Sequence, residues 1–172
     1  MPRGRDDDLD DDQKFLRLAV ELSRSYRDGP RRWPFGAVLV ADGEIVGQGF
    51  NQVEELHDPA AHAEIMALRA GGRALKRHVF KGSVLYTSAE PCPMCLAACY
   101  WASVPRVVFA ATSHDLAERG FTDLAIYHEL RLPPGCRSIR EDAGGEELRG
   151  DAVTAVQEWA QRRWFFARAA RL

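Results

Sequence analysis

Residues 83–102 read SVLYTSAEPCPMCLAACYWA, which predicts a β-strand, a turn and a helix in succession. The apolar, β-branched run 83–87 is typical of a buried strand. A helix is predicted from Pro93 to Ala102, because proline suits the first helical turn, where its missing N–H is not needed. Cys92 and Cys95 stand at the start of this helix. That position places both sulfurs near the positive end of the helix dipole, which favours the metal-binding thiolate.

The same alternation of strands and helices extends to both sides of this segment. Apolar spacing and turn residues predict a helix over 13–27, strands over 36–40 and 44–49 around a turn at 41–43, a helix over 60–70 ended by Gly71 and Gly72, a strand over 106–110, one or two short helices within 116–130, and a last helix over 152–170. Strands that alternate with helices indicate an α/β fold, a three-layer α/β/α sandwich with helices on both faces of the sheet.

The length of 172 residues suits one domain with an appended arm. Residues 1–12 hold six Asp and little that is apolar, so we expect a disordered or frayed acidic lead. Residues 13–132 form the predicted domain. Residues 133–172 begin with Pro-Pro-Gly and form the predicted C-terminal helical arm.

Composition narrows the class of protein. The formal net charge of −2 disfavours nucleic acid as a partner, although a local basic stripe remains open. No apolar run approaches the ~20 residues that span a bilayer, and the N-terminus lacks the apolar stretch of a signal peptide. We therefore expect no membrane partner and a cytoplasmic location. Of the four cysteines, Cys99 is expected to be a small buried hydrophobe and Cys136 a free thiol.

A second cluster, His62-Ala63-Glu64, lies near the predicted start of the helix over 60–70. One imidazole and two thiolates suit zinc, and a catalytic zinc keeps its fourth position for water, whose pKa it lowers to about 7. We predict His62, Cys92 and Cys95 as the ligands of one Zn²⁺ per chain, and Glu64 as the catalytic proton carrier. Alone, Cys-x-x-Cys also fits a redox site, half of a zinc ribbon or core packing, but no second such pair completes a ribbon.

The chain resembles the cytidine deaminase superfamily, and within it the guanine deaminases, over about residues 13–130. The residues that carry this resemblance are Pro34-Phe-Gly-Ala37, Asn51, His62-Ala-Glu-Ile-Met-Ala-Leu-Arg69, Leu85-Tyr-Thr-Ser-Ala-Glu-Pro-Cys-Pro-Met-Cys95, Tyr100-Trp-Ala102 and Gly120-Phe-Thr-Asp123. The resemblance implies a cytidine deaminase-like fold and zinc-dependent hydrolytic deamination, with guanine converted to xanthine and ammonia. His-x-Glu and Pro-Cys-x-x-Cys together are the signature of zinc deaminases.

The resemblance also implies substrate contacts. Asn51 falls where these enzymes place an amide that hydrogen-bonds the base, although a turn residue is the other interpretation. Asp123 matches an acidic residue near the exocyclic amine, and a helix cap is an equal alternative. Phe35 is a candidate to stack on the base, or a core residue. The backbone N–H of Ala63 is a candidate donor to a ring carbonyl oxygen.

Two departures from the guanine deaminase pattern leave the substrate open. Arg31-Arg32-Trp33 replaces the glycines that tend to precede the Pro-Phe-Gly-Ala segment, and the final segment has no Tyr, so Trp164 or Phe166 would have to close the site. Alternatives are a guanosine or deoxyguanosine deaminase, which needs room for a ribose near Trp33, a tRNA adenosine deaminase, and a non-catalytic zinc protein. The Pro-Pro-Gly segment could be a hinge, which predicts a domain-swapped homodimer.

Overall fold

The computed structural model describes the backbone of residues 5–169 and the side chains of residues 11–146 and 148–162. The chain divides into two compact units, residues 1–131 and 132–172. Within residues 5–131 there are four strands, β1 (Gly36–Ala41), β2 (Glu44–Phe50), β3 (Ser83–Ala89) and β4 (Arg106–Ala111), and six α-helices, α1 (Arg5–Ser23), α2 (Val53–Leu56), α3 (Ala63–Leu75), α4 (Pro93–Trp101), α5 (Ser113–Ala117) and α6 (Asp123–Arg131). A 3₁₀ helix at Arg24–Asp28 follows α1, within and just beyond the end of the helix predicted over 13–27.

One mixed sheet organises the first unit, with its strands in the order β2-β1-β3-β4. Strand β1 pairs antiparallel with both β2 and β3, whereas β3 and β4 run parallel. The β1–β2 connection is a two-residue turn in which Asp42 and Gly43 have φ of 53° and 78°. Positive φ at both central residues is what a tight hairpin of this kind requires, and it explains the predicted turn.

The two faces of the sheet carry different helices. On one face, Phe15 and Ala19 of α1 pack with Val38 and Tyr86. On the other, residues of α3 pack with Leu39, the neighbour of Val38 on β1. Successive residues of a strand point to opposite faces, so β1 is buried along its whole length between two helical layers. The predicted three-layer α/β/α sandwich is confirmed.

Helix α3 extends beyond the predicted stop at Gly71 and Gly72 and ends at Leu75. The glycine at 71 serves packing instead, because a Cβ there would lie 2.7 Å from Cδ2 of Leu39. On β2, a Cβ at Gly47 or Gly49 would lie 2.3 Å from a backbone oxygen of α3. These glycines let the helix lie directly on the strand, so a local stop signal was overridden by tertiary packing.

The amino-terminal helix begins earlier than its apolar pattern indicates. Helix α1 starts at Arg5, so residues 5–12, predicted as a disordered lead, are helical, while residues 1–4 lie outside the described part. Asp12 accounts for part of this difference. It is buried, accepts a hydrogen bond of 2.8 Å from Tyr86 Oη and forms an ion pair with Arg106 of β4. Sequence patterning could not reveal these distant partners.

The second unit contains a short 3₁₀ turn at Pro134–Cys136 and the helix α7 (Glu146–Ala169). Helix α7 begins six residues before the predicted position. The side chains of Trp164 and Phe166, the candidates to close the site, lie outside the described residues. Within residues 5–169, none of the helices combines the length and apolar character needed to cross a bilayer.

Candidate metal centre and active site

The predicted site residues converge at one edge of the sheet. Phe35 immediately precedes β1 and Asn51 immediately follows β2. Because these strands are antiparallel, the two residues are neighbours, and Asn51 N donates to Phe35 O at 3.1 Å. Strand β3 ends at the same edge and leads into α4, whose N-cap is Cys92. Helix α3 begins here as well, with His62 as its N-cap.

His62, Cys92 and Cys95 form a cluster that could hold a metal ion, with ligand atoms all within 4.8 Å of one another. The distance between Cys92 Sγ and His62 Nδ1 is 3.6 Å. In a tetrahedral zinc site with Zn–S of about 2.3 Å and Zn–N of about 2.05 Å, the two atoms would be about 3.6 Å apart. The contact therefore fits two ligands of one metal. The part of the chain that the structure describes contains no other such cluster.

One candidate ligand of this cluster, Cys92, is already in the metal-binding form. A hydrogen bond with Cys95 lowers the pKa of Cys92 to about 4, and the contact with His62 acts in the same direction. Cys92 is thus a thiolate at neutral pH, the form that binds metals. Contact with Cys92 raises the pKa of His62. The hydrogen bond with Cys92 raises the pKa of Cys95, so the Cys95 thiol would release a proton on binding a metal. His62 and Cys92 are helix N-caps, and Cys95 lies in the first turn of α4. One imidazole and two sulfurs fit zinc and leave its fourth position open.

Glu64 lies in the first turn of α3 and is 6% exposed. Burial raises the pKa of its carboxyl to about 7. A carboxyl that titrates near neutrality can both accept and donate a proton under physiological conditions. The position therefore meets the chemical requirement for a proton carrier.

A cavity of about 40 Å³ lies over this cluster. Its lining includes His62, Cys92 and Glu64 together with the predicted Phe35, Asn51 and Asp123. Ala63 is buried at the first residue of α3, between two lining residues, where backbone N–H groups have no partner within the helix. All eight residues singled out from the sequence thus lie in or beside one cavity.

The surroundings of Asn51 and Asp123 bear on whether each residue contacts the substrate or has a local structural role, as a turn residue or a helix cap. Asn51 is 1% exposed, and its Oδ1 accepts a hydrogen bond of 3.2 Å from Val53 N. It therefore both orders the turn into α2 and faces the cavity. Asp123 is the first residue of α6, where Thr122 O accepts from Ile126 N, so Thr122 has the N-cap position. Burial raises the pKa of Asp123.

Three residues that line or support the cavity were not predicted as site residues. Glu90 lines the cavity and accepts bonds of 2.8 and 2.6 Å from the N–H and Oγ of Ser113, which anchors α5. Tyr127 of α6 donates to the oxygen of Pro91 at 2.8 Å. Phe121 covers the cavity from the loop before α6. Glu90 and Phe121 belong to the quoted motifs, but only the contacts in the folded chain show that they line the cavity.

Comparisons with known proteins agree with this geometry. Residues 9–111 match the family described as the cytidine and deoxycytidylate deaminase zinc-binding region. The guanine deaminase of Bacillus subtilis is 44% identical over 127 residues, 74% of this chain and 81% of that protein. The tRNA-specific adenosine deaminase of Haemophilus influenzae is 36% identical over 130 residues, 72% of this chain and 75% of that protein.

Among solved structures, the crystal structure of guanine deaminase from Bacillus subtilis superposes with a TM-score of 0.79 at 39% identity. The match covers 87% of this chain and 93% of that chain. Together with the family match, these findings show that this chain belongs to the zinc-binding cytidine and deoxycytidylate deaminase family. The predicted family, fold and zinc-dependent aminohydrolase class are confirmed.

Proposed function

We propose that this protein is a guanine deaminase, which hydrolyses guanine to xanthine and ammonia. The observation that carries the proposal is the 44% identity to a guanine deaminase over 81% of that protein's length. The cavity supports it, since an amide, three carboxyls and aromatic rings surround the candidate metal cluster. A purine with an exocyclic amine offers groups that each of these can contact.

We assign His62, Cys92 and Cys95 as the ligands of one zinc ion, which when bound activates water for attack on the ring. Glu64 takes the proton of the attacking water at its carboxylate and returns it to the leaving amine. The raised pKa of Glu64, about 7, matches this two-way transfer near neutrality. Each turnover consumes one water and releases one ammonia, so no other co-reactant is needed.

The remaining residues orient the base. With its Oδ1 engaged by Val53, Asn51 meets the substrate through its NH₂ group, a donor to a ring nitrogen or carbonyl oxygen of guanine. Asp123 accepts a hydrogen bond from the exocyclic amine and helps to carry protons to it. Phe35 packs against the ring, and the N–H of Ala63 supports developing charge on a ring oxygen.

An ammonia-release assay on zinc-loaded protein tests this proposal. The substrates are guanine, guanosine, deoxyguanosine, adenine, cytosine and cytidine, with chelator-treated protein as the control. We expect guanine to have the highest kcat/KM. Turnover of a nucleoside but not of guanine would move the assignment to a guanosine or deoxyguanosine deaminase.

A second candidate function is tRNA adenosine deaminase. The 36% identity to the tRNA-specific enzyme of Haemophilus influenzae favours it, whereas the net charge of −2 does not. Inosine formation in tRNA without guanine turnover would establish it in place of the first proposal.

We also propose that the protein is a cytoplasmic homodimer. Two aromatic side chains of α4, Tyr100 and Trp101, are 78% and 86% exposed, which is typical of a surface that a partner covers. The arm over 133–172 is the candidate for a swapped segment. The cytoplasmic location is supported by the proposed metal-binding cysteine pair, because a reducing compartment keeps such thiols from forming a disulfide. Sedimentation at micromolar concentration should give a dimer that Trp101→Glu weakens; a monomeric wild type would contradict the proposal.

A further inference from the structure

Two cavities share an aromatic wall in the first unit. The catalytic cavity holds about 40 Å³, far below the ~300–1,000 Å³ typical of small-molecule sites. Beside it lies an outer pocket of about 740 Å³, within the range of small-molecule sites. Trp33 and Phe121 line both spaces. These two rings therefore separate the catalytic cavity from the outer pocket.

Trp33 is the anchored half of this wall. Its Nε1 donates a hydrogen bond of 2.7 Å to Glu54 of α2. The preceding Arg32 pairs with Glu55 at 3.1 Å and stacks 4.5 Å from the Phe50 ring centroid. Two consecutive residues are thus tied to the same short helix. This arrangement limits the movement of the indole.

Phe121 is held differently. Its ring makes edge contacts with Trp33 and Phe35, at centroid distances of 6.0 and 5.0 Å. It follows Gly120, whose φ is +88° and around which a Cβ would meet open space. The side chain has no polar atom through which it could be anchored. Because a purine needs more room than the cavity offers, we expect Phe121 to move when the base binds and Trp33 to stay.

We infer that Trp33 is a specificity-determining residue that restricts the substrate to a free purine base and excludes the corresponding nucleoside. The inference rests on the proposed function. With Phe121 displaced, the base occupies the catalytic cavity and the space that Phe121 leaves, and the indole of Trp33 is the ring that remains between the base and the outer pocket. A ribose on the base would have to enter that pocket, so it collides with Trp33. Steric exclusion of this kind rejects a competitor without adding affinity for the substrate.

The test compares kcat/KM for guanine, guanosine and deoxyguanosine in zinc-loaded wild type and Trp33→Gly. We expect the ratio of nucleoside to base turnover to rise at least about tenfold in Trp33→Gly. Arg31→Gly is the matched control, because it gives the same loop equal backbone freedom at an exposed position and should leave the ratio unchanged. Trp33→Phe keeps an aromatic wall and should retain most of the exclusion.

Outcomes that overturn the inference are distinct from failure of the proposed function. If kcat/KM for base and nucleosides falls in parallel in Trp33→Gly, the indole is only structural. Should wild type already prefer a nucleoside, Trp33 does not exclude it. If wild type deaminates none of the three, the proposed function fails, and calorimetric binding decides instead: guanosine binding gained in Trp33→Gly supports the inference, and no gain overturns it. Trp33→Val replaces Trp33→Gly if the latter does not fold.

Discussion

At the scale of single residues, Glu64 combines a buried position with a place beside the metal cluster. Burying an ionised carboxyl costs free energy unless the group is paired or hydrogen-bonded, so such residues are often functional. We expect Glu64→Gln to keep fold and zinc, because the amide has the same shape and is not a predicted ligand. Its kcat should fall by about 10²- to 10⁴-fold, the contribution of general acid–base catalysis.

Ammonia release, zinc content and thermal unfolding measured on the same Glu64→Gln preparation check this expectation. Glu44→Gln, an exposed change on β2, is the control and should behave as wild type. Turnover by Glu64→Gln at the wild-type rate would remove Glu64 from the mechanism.

Asn51 permits a test that separates its two contacts. Asn51→Ala removes both the acceptor for Val53 N and the NH₂ donor, whereas Asn51→Asp keeps the acceptor. We expect both variants to raise KM for guanine about tenfold, the cost of one lost hydrogen bond of about 1.4 kcal/mol. Both variants should lower the melting temperature, Asn51→Ala because Val53 N loses its acceptor and Asn51→Asp because a carboxylate is buried. An unchanged KM in Asn51→Asp would limit Asn51 to shaping the turn into α2.

At the scale of elements, the contact between α3 and β2 controls the geometry of the site. Gly49 lets the first turn of α3 lie on the strand, since a Cβ there would come within 2.3 Å of Ala63 O. Gly49→Ala must therefore shift α3, which carries His62 and Glu64. We expect a loss of stability of about 1–3 kcal/mol, typical of overpacking, together with weaker zinc binding.

Urea unfolding and metal titration of Gly49→Ala test this prediction. Gly29→Ala is the control, because a Cβ there would meet its nearest neighbour, Arg32 Nε, at an ordinary 3.8 Å. If Gly49→Ala and Gly29→Ala are equally stable, the close approach of α3 to β2 is not required.

The docking of α1 adds a pH dependence. Burial alone would raise the pKa of Asp12, but hydrogen bonds from Arg106 and Tyr86 outweigh it, and the pKa is lowered from 3.8. A carboxyl with a depressed folded-state pKa contributes stability above its unfolded pKa and loses it as the pH falls through the folded value. We expect stability to decline as the pH falls below about 4.

Asp12→Asn isolates this contribution. It should cost about 1–3 kcal/mol at pH 7, the penalty for breaking a buried charged hydrogen bond. The cost should be smaller at pH 3, below the ordinary pKa of an aspartate, because the unfolded chain is protonated there and the charged form stabilises the fold less. Denaturant unfolding at both pH values measures the difference. An equal cost at pH 3 and pH 7 would show that the charge of Asp12 does not stabilise α1.

At the scale of the whole molecule, the proposed zinc ligands come from two separate helices, so we expect metal binding and folding to be linked. A ligand that binds only the folded chain stabilises it by about 2.7 kcal/mol at a free concentration 100 times its Kd. We expect a chelator to lower the melting temperature of wild type, and Cys92→Ala to lose both zinc and that chelator response. Cys136→Ser, an exposed thiol of the second unit, should remain as wild type. A chelator without effect on wild type would contradict this linkage.

The strands, the α/β class and the metal cluster could be predicted because each has a local cause. The hairpin turn depends on Asp42 and Gly43, and the helix start depends on Pro93. The cluster requires residue types that few other sites combine. The stop at Gly71 was wrong, because the same glycine can end a helix or allow a close approach, and only the partner Leu39 distinguishes them.

By itself, the sequence determined which residues can do chemistry: His62 and Glu64 near one helix start and the cysteine pair at another. Tertiary structure alone decided what surrounds them. Asp12 reaches Tyr86, and Trp33 meets Phe121, across long separations in sequence. Such contacts depend on how the layers pack, and no local pattern encodes a partner that lies dozens of residues away. The proposed reacting groups therefore lie in short motifs, whereas the aromatic wall proposed to select the substrate forms only on folding.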